Sequence, residues 1–365
     1  MNIAILSMQR IENYGSFLQA YSLKTILESM GHSVTFIDIK DEHGNLGFWP
    51  QYTENEIKYQ IKMFYRKIKY PSWYSASFKR NHLFHKKLFP MLGVEKIPND
   101  YSNEKFDICF IGSDEVFNCC QDSPWGKTMH LFGESINTKK IATYAASFGS
   151  TTMQDLEEHQ LVPKIEKLVN QYSAISVRDE NSLSILSRIT DKPIFRHLDP
   201  VFLSDYSGLI PRKIEDKNYI LVYGYDGRIC EDEFINSVKK FAHERNLKTI
   251  ALGMAQKWCD KTVVVNPFEL LAYFKNADYI VTDTFHGSVF SIKYQKQFVT
   301  IIRDSNRQKL TALLDTFGLK ERAAGSGESI KRILLEAYNK AYVSNIICSE
   351  KERSMDYLEK CLGDN

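Results

Sequence analysis

The feature that most constrains the fold of this chain is a repeated alternation of short apolar segments with longer amphipathic segments. The short segments have the length of buried strands, and the amphipathic ones have the length of helices. In the first half, strands are predicted at residues 2–8, 33–39, 106–111, 141–146 and 174–177, with helices at 17–30 and 156–170. In the second half, strands are predicted at 219–223, 248–252, 263–265, 279–282 and 298–302, with helices at 231–244, 267–276, 306–317 and 328–346. Alternating strands and helices form parallel sheets covered on both faces. The sequence therefore predicts an α/β fold of two Rossmann-like domains that face each other across a cleft.

Two interruptions of this pattern divide the chain. Residues 41–100 are aromatic, basic and helical in character, and we interpret them as an insertion in the first domain. The polar segment 205–217, which contains Pro211, is predicted to be the interdomain linker. The N-terminal domain is therefore assigned to residues 1–205 and the C-terminal domain to residues 206–365. The last helices are expected to pack back on the N-terminal domain.

Composition and charge exclude several classes of protein. The net charge of +2 provides no general attraction for nucleic acid, so no nucleic-acid partner is expected. The seven cysteines form no CxxC pair, and their odd number does not suit a disulfide framework, so we expect reduced thiols and no zinc site. No apolar run approaches the roughly 18 residues of a membrane span, and residues 1–6 resemble a first strand rather than a signal peptide. A cytoplasmic protein is expected.

The loop between the first strand and the first helix is a candidate ligand-binding element. It contains Asn13, Gly15 and Ser16. Gly15 allows the backbone to approach a ligand, and the N-terminus of the following helix offers unpaired N–H groups. Gln19, one turn further along, is expected to face the same site. The alternative is an N-cap formed by Asn13 or Ser16 without any ligand.

Polar side chains also follow two other strands of the first domain, at the strand ends where open parallel sheets bind ligands. Ser113, Asp114 and Asn118 follow the strand at 106–111 and provide a hydroxyl, a carboxylate and an amide. A helix cap would use the same residue types. Arg178 follows the strand at 174–177, and its paired N–H groups suit a carboxylate or a phosphate. The alternative for Arg178 is a surface ion pair with one of the two acidic residues that follow it.

The segment 282–288 carries the strongest single indication of chemistry. Asp283 ends a predicted buried strand, His286 lies at the turn, and Gly287 and Ser288 open a helix. Histidine is the side chain best suited to proton transfer near neutral pH. A lone histidine is usually structural, but one at a strand-to-helix turn is predicted to be catalytic.

The segment 57–88 holds nine Lys and Arg residues and no Asp or Glu. One interpretation is a solvated helical face. The other is contact with an anionic membrane surface or with a pyrophosphate-linked lipid.

Together these motifs resemble the polysaccharide pyruvyl transferase family. The matching segments occur in the family's order and span most of residues 1–320. They are NYGSFLQAY at 13–21 with Gly31 and His32, IGSDEVFN at 111–118, YAASFG at 144–149, SVR at 176–178, LDP at 198–200 and TDTFHGS at 282–288.

The resemblance implies a two-domain, GT-B-like enzyme that moves the enolpyruvyl unit of phosphoenolpyruvate onto a hexose of galactose type. The acceptor is implied to be a surface polysaccharide or its lipid-linked precursor, the product a cyclic pyruvate ketal, and phosphate is released. This chemistry requires a proton donor, cations for two anionic groups and a base, but no metal and no cofactor besides the donor substrate. The implied partners are phosphoenolpyruvate and a glycan or lipid-linked oligosaccharide, with peripheral contact to the inner membrane surface.

The resemblance also implies roles for individual residues. His286 is expected to act as acid or base or to contact the leaving phosphate, and Arg178 to hold a donor anion. Asp114 or Asp283 is expected to orient a sugar hydroxyl. Substrate contacts are further implied for other residues of the same segments, namely Asn13, Gly15, Ser16, Gln19, Ser113, Asn118, Thr284, Gly287 and Ser288.

One residue departs from the family pattern. Some family members carry an arginine two residues before this histidine, where Thr284 stands here. Another cation is therefore expected to serve, with Arg303, Arg307 and Lys293 as candidates. The N–H groups at the helix ends after Gly15 and Gly287 are expected to add hydrogen-bond donors. A smaller change is Phe117, where tryptophan is common.

Two other functions remain compatible with the residues alone. A GT-B glycosyltransferase that uses a nucleotide sugar would have the same two domains, with a diphosphate at a helix N-terminus. A carbohydrate-binding or scaffold protein without activity would not depend on His286.

Overall fold

The computed structural model describes residues 1–41, 43–46, 65, 67–68, 71–99, 101–121 and 128–363. Within this part of the chain, the named strands form two six-stranded sheets in which all neighbouring strands run parallel. Contacts group the described residues into two compact units. The first lies within Met1–Gln51, His85–Ser204 and Cys348–Asn365, and the second within Tyr52–Phe84 and Asp205–Ile347. The predicted α/β fold with two Rossmann-like domains is confirmed.

The first sheet has the strand order β2-β1-β3-β4-β5-β6. Its strands are β1 (Asn2–Leu6), β2 (Ser33–Phe36), β3 (Phe106–Asp114), β4 (Thr138–Ala146), β5 (Ile175–Val177) and β6 (Ile194–Arg196). The strand order reverses between β1 and β3, and such a reversal opens a crevice at the carboxyl ends of the two strands. The central strands are buried along most of their length, as expected for a parallel sheet covered on both faces.

Seven described helices precede the second sheet in the chain; the second of them lies in the second unit, and the others connect or flank the strands of the first sheet. The seven are α1 (Tyr14–Ser29), α2 (Pro71–Leu83), α3 (Phe89–Leu92), α4 (Met153–Glu158), α5 (Val162–Val169), α6 (Glu180–Leu186) and α7 (Pro200–Leu203). A π-helical turn, Phe84–Leu88, joins α2 to α3. The described part of the predicted insertion is thus helical, and the rest of that insertion lies outside the described residues. Gly31 follows α1 with φ +87°, a left-handed conformation that ends the helix where the sequence predicts.

The second sheet has the order β12-β11-β10-β7-β8-β9, the arrangement of dinucleotide-binding domains. Its strands are β7 (Tyr219–Tyr223), β8 (Lys248–Leu252), β9 (Lys261–Val263), β10 (Tyr279–Thr282), β11 (Phe298–Ile301) and β12 (Ala323–Ala324). Its helices are α8 (Asp232–Glu244), α9 (Pro267–Asn276), α10 (Phe285–Lys293), α11 (Arg307–Thr316), α12 (Ser329–Leu335) and α13 (Lys340–Leu362), of which α13 continues into residues of the first unit. The order reverses between β7 and β10, so the crevice of this sheet lies where those two strands end.

The prediction of one helix at 328–346 is wrong. Helix α12 ends at Leu335, and α13 begins at Lys340 and continues to Leu362. The fully buried Arg322 explains the break, because its guanidinium donates to the Ile333 carbonyl at 2.7 Å and to the Glu336 carbonyl at 2.8 Å. These bonds satisfy carbonyl groups at the end of the helix, where the helix itself provides no donors.

The helix predicted at 156–170 is also wrong in its extent. It is divided into α4 and α5, with Pro163 at the start of the second helix. Proline lacks an N–H group and is tolerated in the first turn of a helix but not in its interior. Within the described residues, no helix is both long enough and apolar enough to cross a membrane.

Candidate active site

In the first unit, the candidate residues gather at the carboxyl ends of β1 and β3. Ser16, in the first turn of α1, donates a hydrogen bond of 2.7 Å from Oγ to Oδ2 of Asp114, the last residue of β3. Asp114 has φ +88°, an uncommon conformation for a residue other than glycine. Ser7 follows β1, and its Oγ donates to the carbonyl of Ser113 at 2.9 Å. These contacts join the two strands at the point where the strand order reverses, and strained backbone is characteristic of functional positions.

Gly112, on β3, allows β3 and β4 to approach each other closely. It has φ +116°, and a Cβ atom at this position would lie 2.3 Å from the carbonyl oxygen of Tyr144 on β4. No L-amino acid with a side chain fits this conformation and this spacing. Glycine at this position in the motif is thus required by the backbone geometry.

Arg178 lies at the centre of a cluster of carboxylates. Its side chain is 4% exposed, and its NH1 atom lies 3.4 Å from Oδ2 of Asp199 and 3.8 Å from Oδ1 of Asp114. Burial lowers the pKa of Arg178, but Asp114, Asp199, Asp179 and also Glu115 together outweigh burial and raise the pKa above its ordinary value. The arginine is therefore held in its charged form and neutralises carboxylates that come from three different segments of the sequence.

A second set of polar contacts extends this cluster. Asp179 caps α6 through the N–H of Ser182, and its other oxygen accepts from Ser147 Oγ at 2.5 Å. Asn118 donates to Glu115 at 3.1 Å and accepts from Thr151 at 2.8 Å. The five motifs of the first unit, although far apart in sequence, thus meet around Arg178.

The structure changes the interpretation of several residues predicted to bind substrate. Asn13 caps α1, because its side-chain oxygen accepts from the N–H groups of Gly15 and Ser16. The N–H donors expected after Gly15 are therefore taken by this cap, and the N-cap is formed by Asn13. Gln19 is fully buried and donates to Ser7 Oγ and to the Ser16 carbonyl, so it supports the site from behind.

The Ser113 hydroxyl is also buried. The residue is 0% exposed, and its Oγ has no hydrogen-bond partner within the described residues. A buried hydroxyl without a partner is unfavourable by about 1–3 kcal/mol. Ser113 therefore has a buried donor next to Asp114 that the described residues do not satisfy.

In the second unit, the candidate residues lie at the end of β10. His286 is in the first turn of α10 and is 8% exposed, between the rings of Phe285 and Phe290. Thr284 is the N-cap of this helix, and its hydroxyl accepts from the Gly287 N–H at 3.0 Å. The N–H donor expected at Gly287 is therefore also taken by a cap. Ser288 is fully buried, and its hydroxyl pairs with Thr300 on β11 at 2.9 Å.

These contacts fix the turn in one conformation. A Cβ atom on Gly287 would lie 2.1 Å from Oγ1 of Thr282, so only glycine permits this packing. The Thr282 hydroxyl in turn donates to the Tyr223 carbonyl on β7 at 2.6 Å. The turn that carries His286 is thus anchored to both neighbouring strands, as precise placement of a catalytic group requires.

Asp283 and Arg303 form an ion pair beside this turn. The Asp283 side chain is fully buried, and its Oδ2 accepts from Arg303 NH1 at 2.6 Å. Arg303 also donates from NH2 to Glu231 at 2.8 Å. Oδ1 of Asp283 has no hydrogen-bond partner within the described residues. One oxygen of this buried carboxylate is therefore left without a donor by the described residues.

Arg228 is the functional candidate that the sequence did not reveal. It lies after β7, and its charge partly opposes the burial that raises the pKa of Asp283. Gly224, also after β7, is so close that a Cβ atom there would lie 2.8 Å from Asp283 Oδ1. Arg228 is exposed, stacks on the ring of Tyr225, and makes no ion pair within the described residues. Only the strand order brings these distant residues together.

The other two cations predicted for this site lie elsewhere. Arg307 is 61% exposed and pairs with the exposed Asp304 at 3.0 Å. Lys293 lies over the ring of Tyr206, with its Nζ 5.4 Å from the ring centroid. Of the three candidates, Arg303 is therefore the one that contacts a residue of the His286 turn.

Substitution of Arg303 is expected to make stability more dependent on pH. Burial raises the pKa of Asp283, against the opposing effects of Arg303 and Arg228. A carboxyl group with a raised folded-state pKa destabilises the folded protein as the pH rises through that pKa, because the unfolded chain ionises more readily. Arg303→Gln removes an opposing cation and raises this pKa further. We expect Arg303→Gln to lower the free energy of unfolding by about 1–2 kcal/mol more at about pH 7.5 than at about pH 5, as measured by denaturant unfolding.

Arg307→Gln is the matched control, because it removes an arginine from the same region but breaks only an exposed pair. Its effect is expected to stay below about 0.5 kcal/mol at both pH values. An equal loss for Arg303→Gln at the two pH values would show that the arginine does not control the ionisation of Asp283.

Comparison with known proteins agrees with the motifs. The family model described as "Polysaccharide pyruvyl transferase" matches residues 13–305. No curated protein matches the chain significantly.

Two solved structures illustrate the fold. The chain is similar to the spinosyn forosaminyltransferase SpnP, with 11% sequence identity, a TM-score of 0.51 and coverage of 100% of both chains. It is also similar to MnaA from S. aureus in complex with UDP, with 10% identity, a TM-score of 0.51, and coverage of 99% of this chain and 97% of that chain. At this identity the likeness concerns the fold alone. It agrees with the predicted GT-B-like class.

Proposed function

The chain belongs to the polysaccharide pyruvyl transferase family, and we propose that it uses phosphoenolpyruvate to form a cyclic pyruvate ketal on a hexose, with galactose as the first sugar to test. In this reaction the methylene carbon of phosphoenolpyruvate takes a proton, and one sugar hydroxyl attacks C2. Phosphate leaves, and a second hydroxyl of the same sugar closes the ketal. The acceptor is a surface polysaccharide or its lipid-linked precursor.

The observation that carries the proposal is the anchored position of His286. The residue follows β10 at the reversal of strand order, where α/β sheets of this type bind their ligands. Imidazole is the side chain best able to give or take a proton near neutral pH. The positive end of α10 favours an anion nearby. His286 is therefore suited to donate its proton as an anionic donor binds.

The cations for that donor are Arg228 and Arg303. Two carboxylates already offset the charge of Arg303, whereas Arg228 is exposed and makes no ion pair within the described residues. Arg228 is therefore assigned the first contact with the phosphate or carboxylate of phosphoenolpyruvate. It takes the place of the arginine that some family members carry at the position of Thr284.

The cluster around Asp114 is assigned to the acceptor. Asp114 holds the Ser16 hydroxyl, and the Ser113 hydroxyl beside it has no partner within the described residues. Sugar hydroxyls are both donors and acceptors, so the Asp114 carboxylate suits them. Arg178 then acts as a positioning residue that holds Asp114, rather than as a clamp on the donor anion.

We place the enzyme at the cytoplasmic face of the membrane, where a lipid-linked acceptor would be presented. Tyr65, Ile68 and Phe78 are 56%, 68% and 63% exposed in the basic, aromatic segment. Large apolar side chains among lysines and arginines are typical of segments that lie on anionic membrane surfaces. This location supports a lipid-linked oligosaccharide over a free sugar as acceptor.

Donor binding distinguishes this function from a nucleotide-sugar glycosyltransferase. Isothermal titration calorimetry with phosphoenolpyruvate and, separately, with UDP is expected to detect binding of phosphoenolpyruvate alone. Arg228→Gln is expected to weaken that binding by about tenfold, because it removes a charged contact worth about 1.4 kcal/mol. Arg307→Gln, the matched control, is expected to leave it unchanged. Binding of UDP without phosphoenolpyruvate would instead indicate the glycosyltransferase.

A further inference from the structure

A cavity of about 400 Å³ lies in the first unit between the sheet and the last helix. Lys140 of β4, Ala174 before β5 and Phe195 of β6 form one wall, and residues 353–361 of α13 form the other. Cavities that bind small organic molecules have volumes of this order. None of the candidate active-site residues lines it. It is therefore a separate feature of the fold.

The floor of the cavity is aromatic. The rings of His197 and Tyr357 lie 4.5 Å apart between centroids, and that of Phe195 lies 5.8 Å from Tyr357. His197 and Tyr357 are buried, but Phe195 is 47% exposed. An exposed ring beside two buried rings offers a flat apolar surface to a ligand.

The hydrogen bonds around His197 determine which ring nitrogen carries the proton. The hydroxyl of Ser176 accepts from the Ala145 N–H at 3.0 Å, and His197 Nδ1 at 2.8 Å is the one acceptor that the described residues offer to its proton, so Ser176 is assigned as the donor to Nδ1. Burial, with a smaller effect from Arg353, lowers the pKa of His197 to about 4. The neutral ring therefore carries its proton on Nε2, which has no hydrogen-bond partner among the described residues. This places a donor in the wall of the cavity.

The charges around the cavity are mainly positive. Lys140, Arg353 and Lys360 line it, together with a single carboxylate, Asp356. Neither lysine makes an ion pair within the described residues, and Arg353 pairs with Glu350, which is on the same helix. With His197 neutral, positive charge exceeds negative charge in the lining. A cavity with apolar walls and charges mainly of one sign attracts ligands of the opposite sign.

We propose that this cavity is a second ligand site that binds a small organic anion. The flat ring of the ligand packs on Phe195, and its carboxylate or phosphate lies among Lys140, Arg353 and Lys360, within reach of the Nε2–H group of His197. A ligand bound here joins α13 to the edge of the first sheet.

The site is tested with probes that share one ring system. 1-Naphthyl phosphate and 1-naphthoate carry the two kinds of anionic group, 1-naphthol is the neutral control, and inorganic phosphate lacks the ring. Calorimetry with the full-length protein is expected to give at least about tenfold tighter binding for one or both naphthyl anions than for either control, a difference of about 1.4 kcal/mol. The naphthyl anion that binds more tightly then shows whether the site prefers a phosphate or a carboxylate. Equal binding of 1-naphthol would overturn the proposal.

Variants locate the binding. Lys360→Gln and Phe195→Ala are each expected to weaken binding of the more tightly bound naphthyl anion by about threefold to tenfold, as for the loss of one partly exposed contact. Lys351→Gln, an exposed lysine of the same helix outside the cavity, is the matched control. It is expected to leave affinity unchanged, and so is His286→Gln. Binding that is insensitive to both Lys360→Gln and Phe195→Ala would place the anion elsewhere and refute the assignment.

Discussion

His286→Gln is expected to lower the turnover number for pyruvate transfer by about 10²–10⁴-fold, the usual contribution of a positioned acid or base. Glutamine retains polarity and approximate size, so the turn formed by Thr284 and Gly287 is expected to persist. Its amide does not give or take a proton near neutral pH. Turnover is measured as phosphate released from phosphoenolpyruvate in the presence of a galactoside acceptor.

The control is His243→Gln, which changes an exposed histidine in the last turn of α8. Both variants are expected to unfold within about 3 °C of the unchanged protein, because neither removes a charge pair from the core. If His286→Gln retained turnover within a factor of about three, the histidine would not transfer the proton.

Arg178→Met is expected to destabilise the protein by about 3–5 kcal/mol, because it leaves buried carboxylates without their cation. Methionine preserves length and apolar contacts, so the loss reports mainly on charge. For the unit that unfolds, this corresponds to a thermal midpoint lower by about 10 °C. Arg178→Lys is expected to lose less stability than Arg178→Met, because it retains the positive charge. It is still expected to lose some, because one ammonium group does not replace a guanidinium between Asp114 and Asp199.

Arg196→Met is the matched control from the same sheet. Arg196 is 44% exposed and pairs with Glu180, which is 66% exposed, so its removal is expected to change stability by less than about 0.5 kcal/mol. A different outcome would restore the role first inferred from the sequence. If Arg178→Met kept its stability but lost affinity for phosphoenolpyruvate, Arg178 would be a clamp on the donor anion.

Much of the fold could be predicted because the strands of the second half are short and clearly bounded. The predicted bounds match the observed ones for three strands and one helix of this half. The strands are Tyr219–Tyr223, Lys248–Leu252 and Tyr279–Thr282, and the helix is Pro267–Asn276. The strand β6 was missed, because it is partly exposed and has no continuous apolar run. The break between α12 and α13 depends on Arg322, which no local pattern reveals. Tertiary contacts thus account for the main departures.

The candidate site was predictable in part for a similar reason. Loops that follow β1, β3 and β10 were correctly identified as the places where polar residues gather, because parallel strands end together. The partners were not predictable, because Asp199 pairs with Arg178, and the charge of Arg228 acts on Asp283, only through strand order and side-chain packing. Capping by Asn13 and Thr284 also removed two sets of N–H donors that the turn sequences alone suggested.

We propose that this protein transfers pyruvate from phosphoenolpyruvate to a hexose. This proposal is tested most directly by incubating the protein with phosphoenolpyruvate and a panel of synthetic or lipid-linked hexosides, while phosphate and acceptor mass are followed together. We predict that one acceptor gains the mass of pyruvate less water, with one phosphate released per product, and that His286→Gln lowers the rate of both signals by about 10²–10⁴-fold. Folded protein that releases no phosphate with any hexoside, or that transfers sugar from a nucleotide donor instead, would contradict the claim.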